Sequence, residues 1–294
     1  MNTTPTILVT GLSGLVGSRF QQLFGDQYNM VNLDLTTGVD ITNTDQVESV
    51  FSAHADAAAI LHLAAFTNLN AAYEERDNKD GVCYKVNVLG TKTIAEAAAR
   101  HSKYLIHIST DYVFDGEKTD FYTEADTPHP IEWYGQTKQW ADEEVIKSGV
   151  KHVMLRLAFP YLANPMRPDM IAKIRNGLET GTLYPMFADH TITPTFVDDV
   201  AQVFDYCIHH QPIGLYHMVG SSSHTDFEIA SMVKAIFGYT TEVKPGSLAA
   251  YIESSKRPYQ KTMKVSNQKL TQEFGLKMKT LEEGLREIKN QLGK

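Results

Sequence analysis

Tyr134 and Lys138 stand four positions apart at the start of a helix-like run. Four residues make about one helical turn, so a phenol and an ammonium project from the same face. A lysine held beside a tyrosine favours the phenolate. Bringing a phenol from about 10 toward neutrality takes roughly 3 units, or about 4 kcal/mol of differential stabilisation. That is how a tyrosine becomes an acid-base catalyst. Thr110 closes the apolar run YLIHIST, and a hydroxyl just outside the carboxyl end of a strand lies where open α/β sheets place their ligands. Asp111 follows it as a candidate substrate contact. A chain with fourteen tyrosines holds about one Tyr/Lys pair at this spacing by chance, so the pair takes its weight from the motifs around it.

The first of these is TILVTGLSGLVGSRF, a buried strand, a glycine turn and a helix start, with Gly11, Gly14 and Gly17 at intervals of three. Gly11 suits the tight turn, Gly14 the approach of backbone to a pyrophosphate, and Gly17 the packing of helix on strand. Ser13, Leu15 and Val16 complete this cofactor-binding loop. Free amides and the helix dipole at such an N-terminus favour an anion. Asp34 then ends the strand-like YNMVNLD. A carboxylate there accepts both ribose hydroxyls of NAD and repels the 2′-phosphate of NADP, so NAD is the expected cofactor. The alternatives are that Asp34 only caps a turn, and that Arg19 in the first helix admits NADP. Asp40 and Ile41 suit the edge and face of adenine. Leu63, Ala64 and Ala65 offer small or apolar surface where backbone passes the cofactor, with Thr67 as a substrate contact; the plainer reading is a packed strand end.

These residues need a scaffold, and the apolar runs supply one. Buried-strand patterns at 6–10, 28–33, 58–63, 104–109 and 151–157 alternate with helix patterns at 14–24, 44–54 and 86–101. The fold class that follows is α/β: a doubly wound parallel sheet of Rossmann type with a smaller C-terminal substrate-binding lobe. Residues 1–160 are expected to form the NAD(P)-binding domain, with 192–220 returning to it. Residues 161–191 and 221–294 are expected to form the lobe, with helices at 169–181, 225–238 and 280–292.

The 294 residues, 43% of them hydrophobic, are enough for such a core, and a net charge of −8 with scattered cations argues against a nucleic-acid surface. No apolar run approaches the ~20 residues of a membrane span, and the expected location is cytoplasmic. Cys83 and Cys207 have no second cysteine at metal-ligand spacing and read as reduced, buried thiols. No HxxxH or HExxH pattern marks a metal, and none is expected. The sequence leaves a monomer or a homodimer open.

TGLSGLVG, VDI (39–41), HLAAFT (62–67), NVLGT (87–91), STDYVFDG (109–116), YGQTK (134–138) and LRLAFPY (155–161) occur in order, followed by DHTITPTFVDDVA (189–201), GLYHMVG (214–220) and KRPYQKTMKVSNQKL (256–270). This ordered set resembles the extended short-chain dehydrogenase/reductase family, in its dTDP-4-dehydrorhamnose reductase-like branch of sugar-nucleotide enzymes. The resemblance implies NAD(P), a nucleotide-sugar substrate whose 4-keto group is reduced, and a Thr110/Tyr134/Lys138 triad. It also implies that Lys138 bonds the nicotinamide ribose, that Asn87 supports the lysine through a water, and that Phe159 lies near cofactor and sugar. The chain departs from the branch at Phe159, where close relatives carry a larger aromatic ring, and at His190, where glutamine is usual. Thr110-Asp111-Tyr112 replaces the Thr-Asp-Glu of sugar-nucleotide 4,6-dehydratases, which disfavours dehydration. An NAD-dependent nucleotide-sugar epimerase and a non-catalytic nucleotide-binding subunit similar to the methionine adenosyltransferase β subunit stay open.

Overall fold

Every residue of strand β1 (Thr6–Thr10) is buried, and so is every residue of β3 (Ala59–His62). A strand can be apolar on both sides only where both faces of its sheet are covered. A computed structural model, describing residues 4–293, contains that sheet. Six strands run in the order Gly214–Met218, β5 (His152–Leu157), β4 (Tyr104–Thr110), β3, β1 and β2 (Asn29–Asn32). The β1–β2, β1–β3 and β3–β4 pairs are parallel. Strand β2 is only partly buried, as befits an edge.

On one face Leu8, Ile60 and Leu105 pack with Val47, Phe51, Ile94, Ala98 and Val145 from the helices. Elsewhere in the unit Phe20 of helix α1 (Leu15–Phe24) stacks on Phe24 at 5.2 Å and meets Phe204 edge-on at 5.6 Å. Each such large side chain, fully buried, stabilises the fold by about 1.5–3 kcal/mol. The strand order reverses direction between β1 and β3, and in open α/β sheets the crevice at that switch point receives the ligand.

The chain divides into two compact units. The first comprises the chain up to Val113, Pro130–Arg156 and Ala201–Tyr216; the second comprises Phe114–His129, Leu157–Val200 and the chain from His217 onward. Segment Phe114–His129 is held in the second unit by backbone pairing: Tyr122 N donates to Lys264 O at 2.8 Å, and Ser266 N to Tyr122 O at 2.9 Å. Helices Asp226–Phe237 and Leu281–Gln291 of that unit start at threonines whose hydroxyls accept from the amides of Glu228 (3.2 Å) and Glu283 (3.3 Å).

One stretch differs from the helix expected over 86–101. The segment Lys85–Gly90 is a π-turn, and only Thr91–Arg100 is regular α-helix. The extra residue in the turn swings Asn87 inward, and a Cβ on Gly90 would come within 2.6 Å of Ile41 Cδ1. A short helix, Leu69–Glu74, is capped by Asn68, whose side chain accepts from Ala71 N at 3.1 Å.

Candidate active site

The glycine loop follows β1 and is shaped by close packing. Gly11 adopts φ +71°, and a Cβ there would lie 2.6 Å from Ala64 N. The turn after β1 therefore rests directly on the end of β3, which joins Leu63 and Ala64 to the loop. Gly17 packs on the loop, since its Cβ would fall 2.5 Å from Gly11 O and 2.7 Å from Leu12 Cα. Gly14 caps α1 in extended conformation with no side-chain cap, and the first turn carries no acidic residue. The amides of Leu15 and Val16 thus stay open to an anion, as a dinucleotide pyrophosphate requires.

Asp34 is buried against this loop. Its carboxylate accepts from Gly11 N, from Ser13 N at 2.9 Å and from Ser13 Oγ at 2.7 Å. A carboxylate offers about four lone-pair sites, so this bracing of the turn leaves about one for a ribose hydroxyl. Asp40 spends Oδ1 on Thr42 N and Thr42 Oγ1, both at 2.8 Å. Ile41 is in the core cluster with Leu33 and Val47, so its side chain is a packing residue.

Helix Trp133–Lys147 brings the chemistry together. Gly135 lets it lie on the turn after β4, because a Cβ there would overlap the Tyr112 carbonyl oxygen. The Tyr134 phenol is nearly buried, with Thr110 as its hydrogen-bond partner and Tyr112 edge-on at 5.6 Å. Burial pushes its pKa up, Asp111 and Glu132 add to the rise, and Thr110 opposes it. The Lys138 ammonium, one turn along, donates to Ile108 O at 2.7 Å, and burial pulls its own pKa down to about 8. In this arrangement Tyr134 is held as a protonated acid, the form a reduction consumes. Asp111 is buried beside it, accepts from Thr110 Oγ1 at 3.2 Å, and is pushed up to about 7 by its desolvation.

Asn87 is fully buried and its amide has direct protein partners. Oδ1 accepts from Phe66 N at 2.8 Å, and Nδ2 donates to Thr137 Oγ1 at 3.0 Å. It ties the extension of β3 to the Tyr134 helix, and Thr137 passes the link on by donating to Tyr134 O at 2.8 Å. Thr67 is exposed beyond that point. Gly135 and Thr137 were not among the expected site residues; both lie inside YGQTK, where a glycine between tyrosine and lysine is the readable signal. Cys83 and Cys207 are buried free thiols. Among the described residues no group of three or more His, Cys, Asp or Glu is placed to hold a metal, and no helix is long and apolar enough to cross a membrane.

The family model for the RmlD substrate binding domain matches residues 5–293. The chain belongs to that family. A dTDP-4-dehydrorhamnose reductase of Aggregatibacter actinomycetemcomitans is 30% identical over 299 residues, covering 96% of this chain and 98% of its own. The dTDP-4-dehydrorhamnose reductase of Bacillus anthracis, crystallised in complex with NADP, matches with a TM-score of 0.88 and 26% identity over 99% of both chains. The Clostridium acetobutylicum ortholog gives 0.88 and 27% over 98% of this chain and 100% of its own. The RmlD-family chain is thus a dTDP-4-dehydrorhamnose reductase-like extended short-chain dehydrogenase/reductase with a Rossmann-like sheet.

In the second unit of this RmlD-family chain lie the two departures noted from sequence. Phe159 takes φ +41°, which a bulky residue rarely adopts, and packs with Ala158, Val219 and Val265. His190 is buried, with Nδ1 2.6 Å from Asp226 Oδ2 and its ring edge-on to Phe159, Phe187 and Tyr259. The carboxylate fixes the ring by accepting from Nδ1.

Proposed function

We propose that this NAD(P)-dependent oxidoreductase reduces the 4-keto group of a nucleotide-activated deoxysugar, with NADH as preferred cofactor. The observation that carries the reading is a phenol kept protonated by burial beside a threonine hydroxyl, with a buried ammonium one turn further along the same helix. When bound, the nicotinamide supplies hydride to the carbonyl carbon. Thr110 orients the carbonyl oxygen, and Tyr134 gives its proton to the alkoxide that forms there. The phenolate left behind is stabilised by the Lys138 ammonium. Asn87 and Thr137 hold the helix that carries both groups.

The loop amides at α1 fit the pyrophosphate, and Asp34 places a carboxylate toward the adenosine ribose end of the dinucleotide motif. The relatives' names supply the substrate class: they reduce dTDP-4-dehydrorhamnose, and Thr110-Asp111-Tyr112 lacks the acidic pair an elimination needs. The deciding measurement is oxidation of NADH or NADPH against a panel of dTDP-, UDP- and GDP-4-keto-6-deoxy sugars. Stoichiometric cofactor oxidation with one of them establishes the activity. Interconversion of 4-epimers without net redox change makes the protein an epimerase, and inertness toward the whole panel removes the reductase reading.

A further inference from the structure

Beneath the Tyr134 helix lies a buried polar layer that the proposed reaction has not used. His62 of β3 and His107 of β4 are cross-strand partners with rings stacked at 5.6 Å. Thr10 Oγ1 accepts from Ala64 N at 3.1 Å and lies 2.7 Å from His62 Nδ1. His62 Nε2 lies 2.9 Å from Thr91 Oγ1. His107 Nε2 lies 3.0 Å from Asp142 Oδ1, and Ser109 Oγ donates to Asp142 Oδ2 at 2.7 Å. All of these side chains except that of Ala64 are at least nine-tenths buried.

We propose that Asp142 is a positioning residue for Lys138: fixed by His107 and Ser109 of β4, it sets a carboxylate one turn beyond Lys138 on the buried side of their helix and keeps that lysine charged. The inference rests on the reductase reading for its catalytic meaning, though not for its test.

A lysine buried to 2% exposure, with a backbone carbonyl as its hydrogen-bond acceptor, loses most of the hydration that keeps an ammonium protonated. The groups that act on it are Cys83 from the Val82–Tyr84 turn, His62 from β3, His107 from β4 and Asp142 from its own helix, with Tyr134 one turn back on that helix. Burial pushes the Cys83 thiol up and both histidines down, so those three are neutral near pH 7. Tyr134 is neutral too. Asp142 is the carboxylate in that set, one helical turn from Lys138, and its hydrogen-bond partners His107 and Ser109 are uncharged. Even with this support burial holds the lysine at about 8, with Asp142 raising it.

The alternative is a plain structural staple between helix and β4, and the two roles separate by variant. Lysine labelled with ¹³C at Cε, with the Lys138 signal assigned by its loss in Lys138→Met, reports the titration of that one group in the full-length protein. The expected result is a midpoint lowered by roughly one pH unit or more in Asp142→Asn, little changed in Asp142→Glu and little changed in Ser109→Ala, which weakens the staple and keeps the charge. Asp142→Ser carries the same expectation as Asp142→Asn if the asparagine variant does not fold. An unmoved Lys138 midpoint in a folded Asp142→Asn or Asp142→Ser protein overturns the proposal, and so does an equal shift in Ser109→Ala. With a turned-over 4-keto sugar, the alkaline limb of kcat should move down with the midpoint. Absence of turnover in the unaltered protein would remove the reductase reading while the NMR shift still decides the link between Asp142 and Lys138.

Discussion

The glycine loop and the Tyr134 helix each hold part of the reaction by opposite means. The loop works through backbone: amides left open at α1, a turn seated on the end of β3, and one carboxylate bolting the turn in place. The helix works through buried side chains whose proton affinities are displaced from their ordinary values, upward for Tyr134 and Asp111, downward for Lys138. Backbone donors do not titrate, whereas Asp111, pushed up to about 7, and Lys138, pulled down to about 8, titrate near physiological pH. Binding of the dinucleotide should therefore depend on shape, and turnover on protonation.

The largest test removes a single hydroxyl. Tyr134→Phe should cut keto-sugar turnover by roughly 100-fold or more and leave NADH affinity within about twofold, whereas Lys138→Met should impair both. Steady-state rates beside NADH fluorescence titrations read the two quantities separately, and near-normal turnover in Tyr134→Phe would break the division between loop and helix. Asp34→Ala comes next. It frees the loop donors as well as the ribose, so NADH should weaken about 10- to 100-fold, NADPH by less, and the preference between them should narrow. Ser13→Ala should weaken both only a few-fold and equally, because it loosens the turn and leaves the charge.

Smaller effects sharpen the helix side. Gly135→Ala forces a methyl against the Tyr112 carbonyl, and an overpacked contact of this kind costs about 1–3 kcal/mol. Thermal melting should register that loss together with slower turnover, and an unchanged melting curve would show that the helix can shift without consequence. The mildest expectation concerns pH. Lys138 is lowered to about 8, so its ammonium is present below that value and lost as pH rises through it. Turnover should fall to about half near pH 8 and decline further above it. NADH affinity in Lys138→Met should stay flat from about pH 6 to 9, because what remains in the loop does not titrate there.

The sequence displayed the loop well because its requirements are local: three glycines at fixed spacing and an aspartate one strand later. The Tyr134/Lys138 pair was legible for the same reason, four residues on one helix face. What escaped was tertiary. Asp34 reads from sequence as a ribose ligand, yet most of its lone pairs go to Gly11 and Ser13 across 21 to 23 positions. Ile41 reads as an adenine contact, and its place in the core cluster with Leu33 and Val47 is not legible, nor is the burial that raises the Tyr134 pKa. The link from His107 to Asp142 spans 35 positions and joins a strand to a helix, so no local pattern announces it. Two histidines inside otherwise apolar strands were the available hint.

The order in which the chain visits its two units has a consequence for synthesis. It crosses between them five times, after Val113, His129, Arg156, Val200 and Tyr216. The outer strand of the six-stranded sheet, Gly214–Met218, leaves the ribosome only when about three-quarters of the chain has been made, so the nascent sheet has β5 as a bare flank until then. Cutting the gene near residue 160 would free no self-sufficient nucleotide-binding piece, since the peptide would lack the strand beside β5 and the helix bearing Phe204. The nascent chain thus carries an unfinished sheet until residue 218 has emerged, and an unfinished second unit beyond that point.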